Sequence, residues 1–218
     1  LKLFRYQAEH NSVYNSFLKL INVNADSITN IDQIPLLPIS VFKNREVKTG
    51  DWEEEKIFLS SGTGNMVRSK NYVRNLSWYD KISQTIFNHQ IGELKDYKIL
   101  AFLPSYMDNP SSSLIHMVNH FFELSKSNQG NMFSTDIRQL KLAIDASLKE
   151  ESRDILLIGV TFALIDFARG YYLDSARLNI MFTGGMKNRG QELTYDEVCQ
   201  LLRKTLPSSK IFAEYGMT

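Results

Sequence analysis

The chain has 218 residues, 43% of them apolar, and its 25 basic and 24 acidic side chains leave a net charge of +1. That composition supports a packed core and argues against disorder, and the balanced charge gives no electrostatic case for binding nucleic acid or a membrane surface. The lone Cys199 excludes an internal disulfide and fits a reducing, cytoplasmic setting; no apolar run reaches membrane-span length, and no signal-peptide pattern opens the chain. The first residue is Leu1 and the last residues read as a strand entering a loop, so the sequence is expected to be a piece of a longer product.

Residues 3–23 carry Leu3, Phe4, Val13, Tyr14, Phe17, Leu18 and Ile21 at helical spacing, which predicts one or two helices. Pro35 and Pro38 break helix in the residues before them, and Pro38 suits the start of a short helical turn through Val41 and Phe42. The acidic run 51–55 reads as a solvated face. Residues 57–59 are a short apolar run, predicting a buried strand that ends in a polar loop. In that loop Ser60, Ser61, Thr63 and Ser69 supply hydroxyls, Gly62 and Gly64 supply backbone freedom, and Arg68 and Lys70 supply charge. Glycines let N–H groups converge on one point while hydroxyls and cations add donors, an arrangement suited to phosphate. An ordinary polar turn has the same composition, so both readings stay open on the loop alone. A Walker-type loop is excluded, because it needs glycine before the lysine and Ser or Thr after it; here Ser69 and Asn71 flank Lys70.

From residue 77 helices and strands alternate. A helix over 77–90 has Trp78, Ile82 and Ile86 one turn apart, with Ser77 as its predicted N-cap. Residues 99–103 predict a strand stopped by Pro104, and 112–124 a helix with Ile115, Val118 and Phe122 on one face. A weak strand over 131–133 precedes a helical stripe of Ile137, Leu140, Ile144 and Leu148, capped by Thr135 or Asp136. Residues 155–160 are the strongest buried strand, followed by a helix through Leu164, Ile165 and Phe167. A strand over 178–182 ends in Thr183-Gly184-Gly185; Thr194 and Glu197 form a capping box for a helix carrying Val198, Leu201 and Leu202; and 211–213 is the last strand. This alternation predicts an α/β fold with a largely parallel sheet flanked by helices. Three polar, glycine-bearing loops (60–70, 183–190 and 214–218) follow predicted strands, where such sheets gather their ligand crevices.

Among single residues, Cys199 sits between core positions of its helix and reads as a buried small side chain rather than a reactive thiol. His116 and His120 lie one helical turn apart, but no carboxylate completes a helical metal motif and the aromatic neighbours favour packing. Asp108 and Asn109, before Pro110, read as turn formers, and no residue is picked out as a metal ligand.

Ser60-Ser61-Gly62-Thr63 with Ser69-Lys70 resembles the phosphate loop of adenylate-forming enzymes, Thr183-Gly184-Gly185 their mid-domain TGG segment, and Glu214-Tyr215-Gly216-Met217-Thr218 the start of their EYGMTE motif. Further segments are similar to the acyl-protein synthetase family of bacterial luminescence within that superfamily. They are Pro35-Leu36-Leu37-Pro38 leading to Val41-Phe42-Lys43, Pro104-Ser105-Tyr106 before Ser112-Ser113-Leu114, and Gly185-Met186-Lys187-Asn188-Arg189-Gly190. The resemblance runs in order from Ile34 to Thr218 and departs from the pattern at Gly64-Asn65, which replaces Thr-Gly and removes one hydroxyl.

The resemblance implies that residues 1–218 are part of the large N-terminal domain of an adenylate-forming enzyme. Such an enzyme uses ATP and Mg2+ to convert a carboxylic acid, here a fatty acid, into an acyl-adenylate, then passes the acyl group to a protein cysteine. It also implies partner acyl-transfer or reductase subunits. On the family pattern Ser60, Ser61, Gly62, Thr63 and Lys70 cradle the ATP phosphates, and Gly184 and Gly185 line the adenine and acyl side. Tyr215, followed by Gly216, packs against adenine, and Thr218 donates to the α-phosphate. The family's magnesium-binding glutamate, its ribose-binding aspartate, a mobile C-terminal domain with its lysine, and the acceptor cysteine are expected downstream, leaving this piece with little or no turnover. Two alternatives stand beside this one: a phenylacetate-type carboxylate–CoA ligase, and a non-catalytic homologue that binds a nucleotide or a partner.

Overall fold

A computed structural model of the chain describes residues 1–60, 67–104, 106, 109–128, 131–150, 152–186 and 189–216. The described chain divides into two compact units, one of residues 1–79 with 111–113, the other of residues 80–110 with 114–216.

In the first unit, the predicted N-terminal helical region is two helices, α1 (Lys2–His10) and α2 (Ser12–Leu20). They separate at Asn11, whose side-chain oxygen accepts the Tyr14 N–H at 3.0 Å and so starts α2. Phe4, Ala8, Tyr14, Leu18 and Ile28 form their shared core. The Tyr14 hydroxyl donates to the Pro35 carbonyl at 2.6 Å, tying the proline stretch to α2. The turn expected after Pro38 is α3 (Val41–Asn44).

The strand before the candidate phosphate loop is β1 (Lys56–Leu59), and its partner is β2 (Lys70–Val73). The two form a separate antiparallel sheet, with Lys56 opposite Val73 and Leu59 opposite Lys70. This corrects the placement of loop 60–70 at the end of a parallel strand. Antiparallel strands need only a short connection, whereas parallel ones need a crossover of a dozen or more residues. It also corrects the burial of β1: only Phe58 is fully buried, with its ring 5.1 Å from that of Tyr79, and Ile57 and Leu59 stay half-exposed.

The second unit is built on a five-stranded, wholly parallel sheet in the order β4-β3-β5-β6-β7, so the predicted α/β class holds. Its strands are β3 (Tyr97–Phe102), β4 (Met132–Phe133), β5 (Asp154–Val160), β6 (Leu178–Thr183) and β7 (Ile211–Glu214). The connections are α5 (Ser113–Leu124), α6 (Ile137–Glu150), α7 (Thr161–Arg169) and α8 (Tyr195–Arg203). Strand order reverses between β3 and β5, making their carboxyl ends the topological switch point of the sheet. β5 and β6 read as near-continuous apolar runs because helices cover both faces of a parallel sheet; Leu156, Leu157, Ile158 and Ile180 are fully buried.

The helix predicted at 77–90 is α4 (Leu76–Gln90). Its cap is Asn75 rather than Ser77: the Asn75 side chain accepts the Trp78 N–H at 2.9 Å. The stripe of Trp78, Ile82 and Ile86 is on the outward face, 61%, 50% and 59% exposed. Phe87 is the buried residue, packed against Phe121 at 5.1 Å and Tyr97 at 5.9 Å. In α5 the buried set is Met117, Val118, Phe121 and Phe122, with Ile115 only half-buried. α6 is capped by Asp136, which accepts the Arg138 and Gln139 N–H groups at 2.9 and 3.1 Å. The capping box of α8 forms as expected: Thr194 and Glu197 bond each other's backbone N–H groups reciprocally.

Two stability predictions follow from this packing. A Cβ on Gly159 in β5 would meet the buried Leu164 side chain at 2.7 Å, so Gly159→Ala should cost about 1–3 kcal/mol, read from the denaturant midpoint. The Glu197 carboxyl is held below its ordinary range, first by the hydrogen bond to the Thr194 backbone. Its contribution is therefore present above the unfolded carboxylate range and is lost as pH falls through the lowered value. Acid-side unfolding of Glu197→Gln should lack that loss, and Thr194→Ala should cost about 1 kcal/mol at neutral pH.

Candidate functional site

Parallel pairing sets the register at the carboxyl edge of the second unit's sheet. Val160 of β5 lies beside Thr183 of β6, which lies beside Glu214 of β7. The segments that follow, Thr161 onward, Gly184-Gly185-Met186 and Tyr215-Gly216, therefore leave from one line.

Hydroxyls tie these strand ends together. The Thr161 Oγ1 donates to the Gly184 carbonyl at 2.5 Å and lies 3.3 Å from that of Thr183. The Thr183 hydroxyl donates to the Glu214 carboxylate. Both threonines are buried, so these bonds form where water competes little.

Two glycines shape this edge in distinct ways. Gly184 has φ +66°, the left-handed region that costs a side chain strain, and a Cβ there would meet nothing within 4 Å, so its backbone is open to a ligand. At Gly185 a Cβ would run into the Glu192 carboxylate. That carboxylate accepts the Met186 N–H through both oxygens, at 3.1 and 3.0 Å, and holds the segment after β6 in place. The Arg189 N–H in turn donates to the Met186 carbonyl at 2.9 Å. The Arg189 guanidinium carbon lies 4.3 Å from the centre of the Phe162 ring in the first turn of α7. The Tyr215 ring is 85% exposed, a flat apolar face beside this edge.

The sequence-predicted residues thus fall into two groups. Gly184, Gly185, Tyr215 and Gly216 come together in the second unit. Ser60 and Lys70 belong to the first, at the loop end of the β1–β2 pair. There the Ser60 N–H donates to the Ser69 carbonyl at 3.0 Å, and the Ser60 hydroxyl accepts the Ser69 N–H at 2.9 Å. Lys70 is the first residue of β2 rather than part of the loop; it is exposed and makes no ion pair among the described residues. Ser61, Gly62, Thr63, Gly64, Asn65 and Thr218 lie outside the described residues, as does Asp108.

Of the remaining single residues, Cys199 is a packed side chain and His116 is held by a carboxylate, while the His120 Nε2 is buried with no hydrogen-bond partner among the described residues. Cys199 is 3% exposed within α8. A hydrogen bond to its thiol, followed by burial, pushes the Tyr195 phenol above its ordinary value. His116 Nε2 pairs with Asp80 Oδ1 at 2.7 Å, linking α4 to α5. Among the described residues, no group of three His, Cys, Asp or Glu side chains is gathered to hold a metal.

Thr161 and Glu192 are positions at this edge that pattern reading does not single out, and Arg189 falls within the segment 185–190 of the resemblance without a role. Thr161 and Glu192 are lone polar residues in sequence, and what each touches depends on strand register or on the path of a loop.

No protein-family model matches the chain. Over 67 residues it is 39% identical to a long-chain-fatty-acid–luciferin-component ligase of Photorhabdus luminescens, a match covering 30% of this chain. The chain spans 57% of that relative's length. A segment of the chain is therefore similar to an acyl ligase.

Thr161→Val keeps the shape of the side chain and removes the donor to the Gly184 carbonyl. It should cost about 1 kcal/mol by denaturant unfolding and speed amide exchange in residues 184–186, with Thr161→Ser close to wild type.

Proposed function

We propose that the protein activates a carboxylic acid, a fatty acid by its resemblance, as an acyl-adenylate with ATP and Mg2+, and passes the acyl group to a protein cysteine thiol. The observation that carries this reading is the side-by-side placement of Thr183-Gly184-Gly185 and Glu214-Tyr215-Gly216 at the carboxyl edge of a parallel sheet. The partial identity with a fatty-acid ligase supports it from an independent direction.

In the first step a carboxylate oxygen of the acid attacks the α-phosphorus of ATP, and the bond to the bridging oxygen breaks, releasing pyrophosphate. In the second a thiolate sulfur attacks the acyl carbon; the carbon–oxygen bond to the phosphate breaks and AMP leaves. The thiol proton goes to solvent.

The edge suits a nucleotide. The exposed Tyr215 ring offers a stacking face for adenine, and the open backbone at Gly184 allows close approach of a flat base. Ser60, Lys70 and the intervening Ser61, Gly62 and Thr63 would supply donors to the phosphates, where negative charge spreads in the transition state. Thr218 would donate to the α-phosphate on the same reading. Mg2+ would arrive on the nucleotide and neutralise its phosphate charge, since it binds through phosphates with one or two carboxylates. Acyl-transfer or reductase subunits are proposed as partners; no described helix is long and apolar enough to cross a membrane.

The test is carboxylate-dependent exchange of pyrophosphate into ATP by the intact natural protein. Exchange that requires a fatty acid and falls about 100-fold in Lys70→Ala is the expected result. A wild-type protein that binds nucleotide without any acid-dependent exchange would be the non-catalytic homologue instead. Supplying coenzyme A or a protein thiol to the preformed adenylate distinguishes the two enzyme readings.

A further inference from the structure

The second unit uses some of its arginines as internal struts. Arg153 donates to the Tyr97 and Ser125 carbonyls at 3.2 and 2.6 Å. Arg177 donates to the Leu148 and Arg153 carbonyls at 2.9 and 2.8 Å, whereas the exposed Arg169 pairs only with Asp166 of its own helix, at 3.0 Å. Arg189 is different. The residue is exposed and its guanidinium makes no hydrogen bond or ion pair with any described residue, but the side chain is laid against a ring. It lies over the ring of Phe162, itself 4% exposed, at 4.3 Å from the centroid. Its backbone is fixed by the bond to the Met186 carbonyl, and Met186 is fixed by Glu192.

A cation stacked on a ring is restrained on one face while its N–H donors stay available, because the ring takes none of them as a hydrogen-bond partner. The nearby carboxylates do not use those donors: Glu192 is engaged with the Met186 N–H, and Glu214 with the Thr183 hydroxyl. The second feature is the start of α7. Val160 is its N-cap and provides no side-chain cap, and the Thr161 hydroxyl is turned to the Gly184 carbonyl. The first-turn N–H groups, at Phe162 and its neighbours, therefore keep their partial positive charge. α7 also leaves from β5, one of the two strands flanking the switch point where α/β sheets seat their ligands.

We propose that Arg189 is an oxyanion-binding residue of the candidate site, held on Phe162 so that its guanidinium and the first turn of α7 together receive a carboxylate or phosphate group of a substrate. The identity of that substrate rests on the acyl-activating function proposed above; the existence of the anion site does not. Arginine rather than lysine is suited to the position, because its planar fork meets carboxylate and phosphate through paired hydrogen bonds while its face stacks on the ring.

The experiment compares wild type, Arg189→Gln, Arg189→Lys and Phe162→Leu in the intact natural protein, with acid and ATP varied separately in pyrophosphate exchange. Arg189→Gln should raise the KM of one substrate by roughly tenfold or more with little change in kcat, and added guanidinium ion should recover part of the loss. A rise confined to the acid identifies a carboxylate as the bound group; a rise confined to ATP identifies a phosphate. Phe162→Leu should shift the same KM by less, and Arg189→Lys should fall between wild type and Arg189→Gln.

A second readout needs no turnover: calorimetric titration of wild type and Arg189→Gln with dodecanoate and, separately, with AMP. Binding of either probe that weakens in Arg189→Gln, in a wild type lacking exchange, would keep the anion site and remove the acyl-activating function. Exchange in wild type with both KM values and both affinities unchanged in Arg189→Gln would overturn the role of Arg189 and leave the function standing. A wild type that binds neither probe would overturn the anion site.

Discussion

The candidate site depends on one constraint, the parallel pairing of β5, β6 and β7. Parallel strands all run the same way, so their carboxyl ends and the segments that follow collect along one edge. Close packing on both faces then holds the register, because a slip by one residue would send every side chain to the opposite face, against a layer shaped for other residues. With Val160, Thr183 and Glu214 in line, the two threonine hydroxyls reach the backbone and carboxylate partners that fasten the three strand ends. The position of Gly184 and Tyr215 is thus inherited from the packing of Leu156, Ile158 and Ile180 well below them.

The elements whose burial is uniform were legible in the sequence. β5 and β6 are apolar along their length, and α8 carries both halves of a capping box, so local pattern and final structure agree. α4 shows where pattern stops. Its spacing correctly marks a helix, but spacing alone does not say which face meets the core; Phe87 does, while Trp78, Ile82 and Ile86 look outward. Ser77 and Asn75 are equally good capping types, and only the position of the first free N–H selects Asn75. The β1–β2 pair was hidden because Lys70-Asn71-Tyr72-Val73 has few apolar residues and follows a polar loop. At the site, Gly184, Gly185 and Tyr215 were visible as motif residues, while Thr161 and Glu192 were not. Thr161 reaches its partner across 23 sequence positions, through a register that no local pattern carries.

Electrostatics make the edge more specific than its glycines suggest. Two carboxylates, Glu192 and Glu214, stand where an anionic substrate is proposed to bind, which by itself would repel it. Each is instead committed to a donor of the protein's own, so each serves the backbone rather than facing the substrate bare. Among the described residues of this edge, positive character remains at Arg189 and at the uncapped start of α7, on the side where Phe162 lies.

Gly185 connects this balance to the fold. A side chain there would displace the Glu192 carboxylate, whose two oxygens hold the Met186 N–H, and the Met186 carbonyl in turn receives the Arg189 N–H. The absence of a Cβ at Gly185 therefore leaves the space in which the Glu192 carboxylate clamps the segment leading to Arg189. The second glycine of the pair acts through this relay rather than through its own backbone freedom. That separates it from Gly184, whose positive φ and open surroundings act directly on the space a ligand would enter.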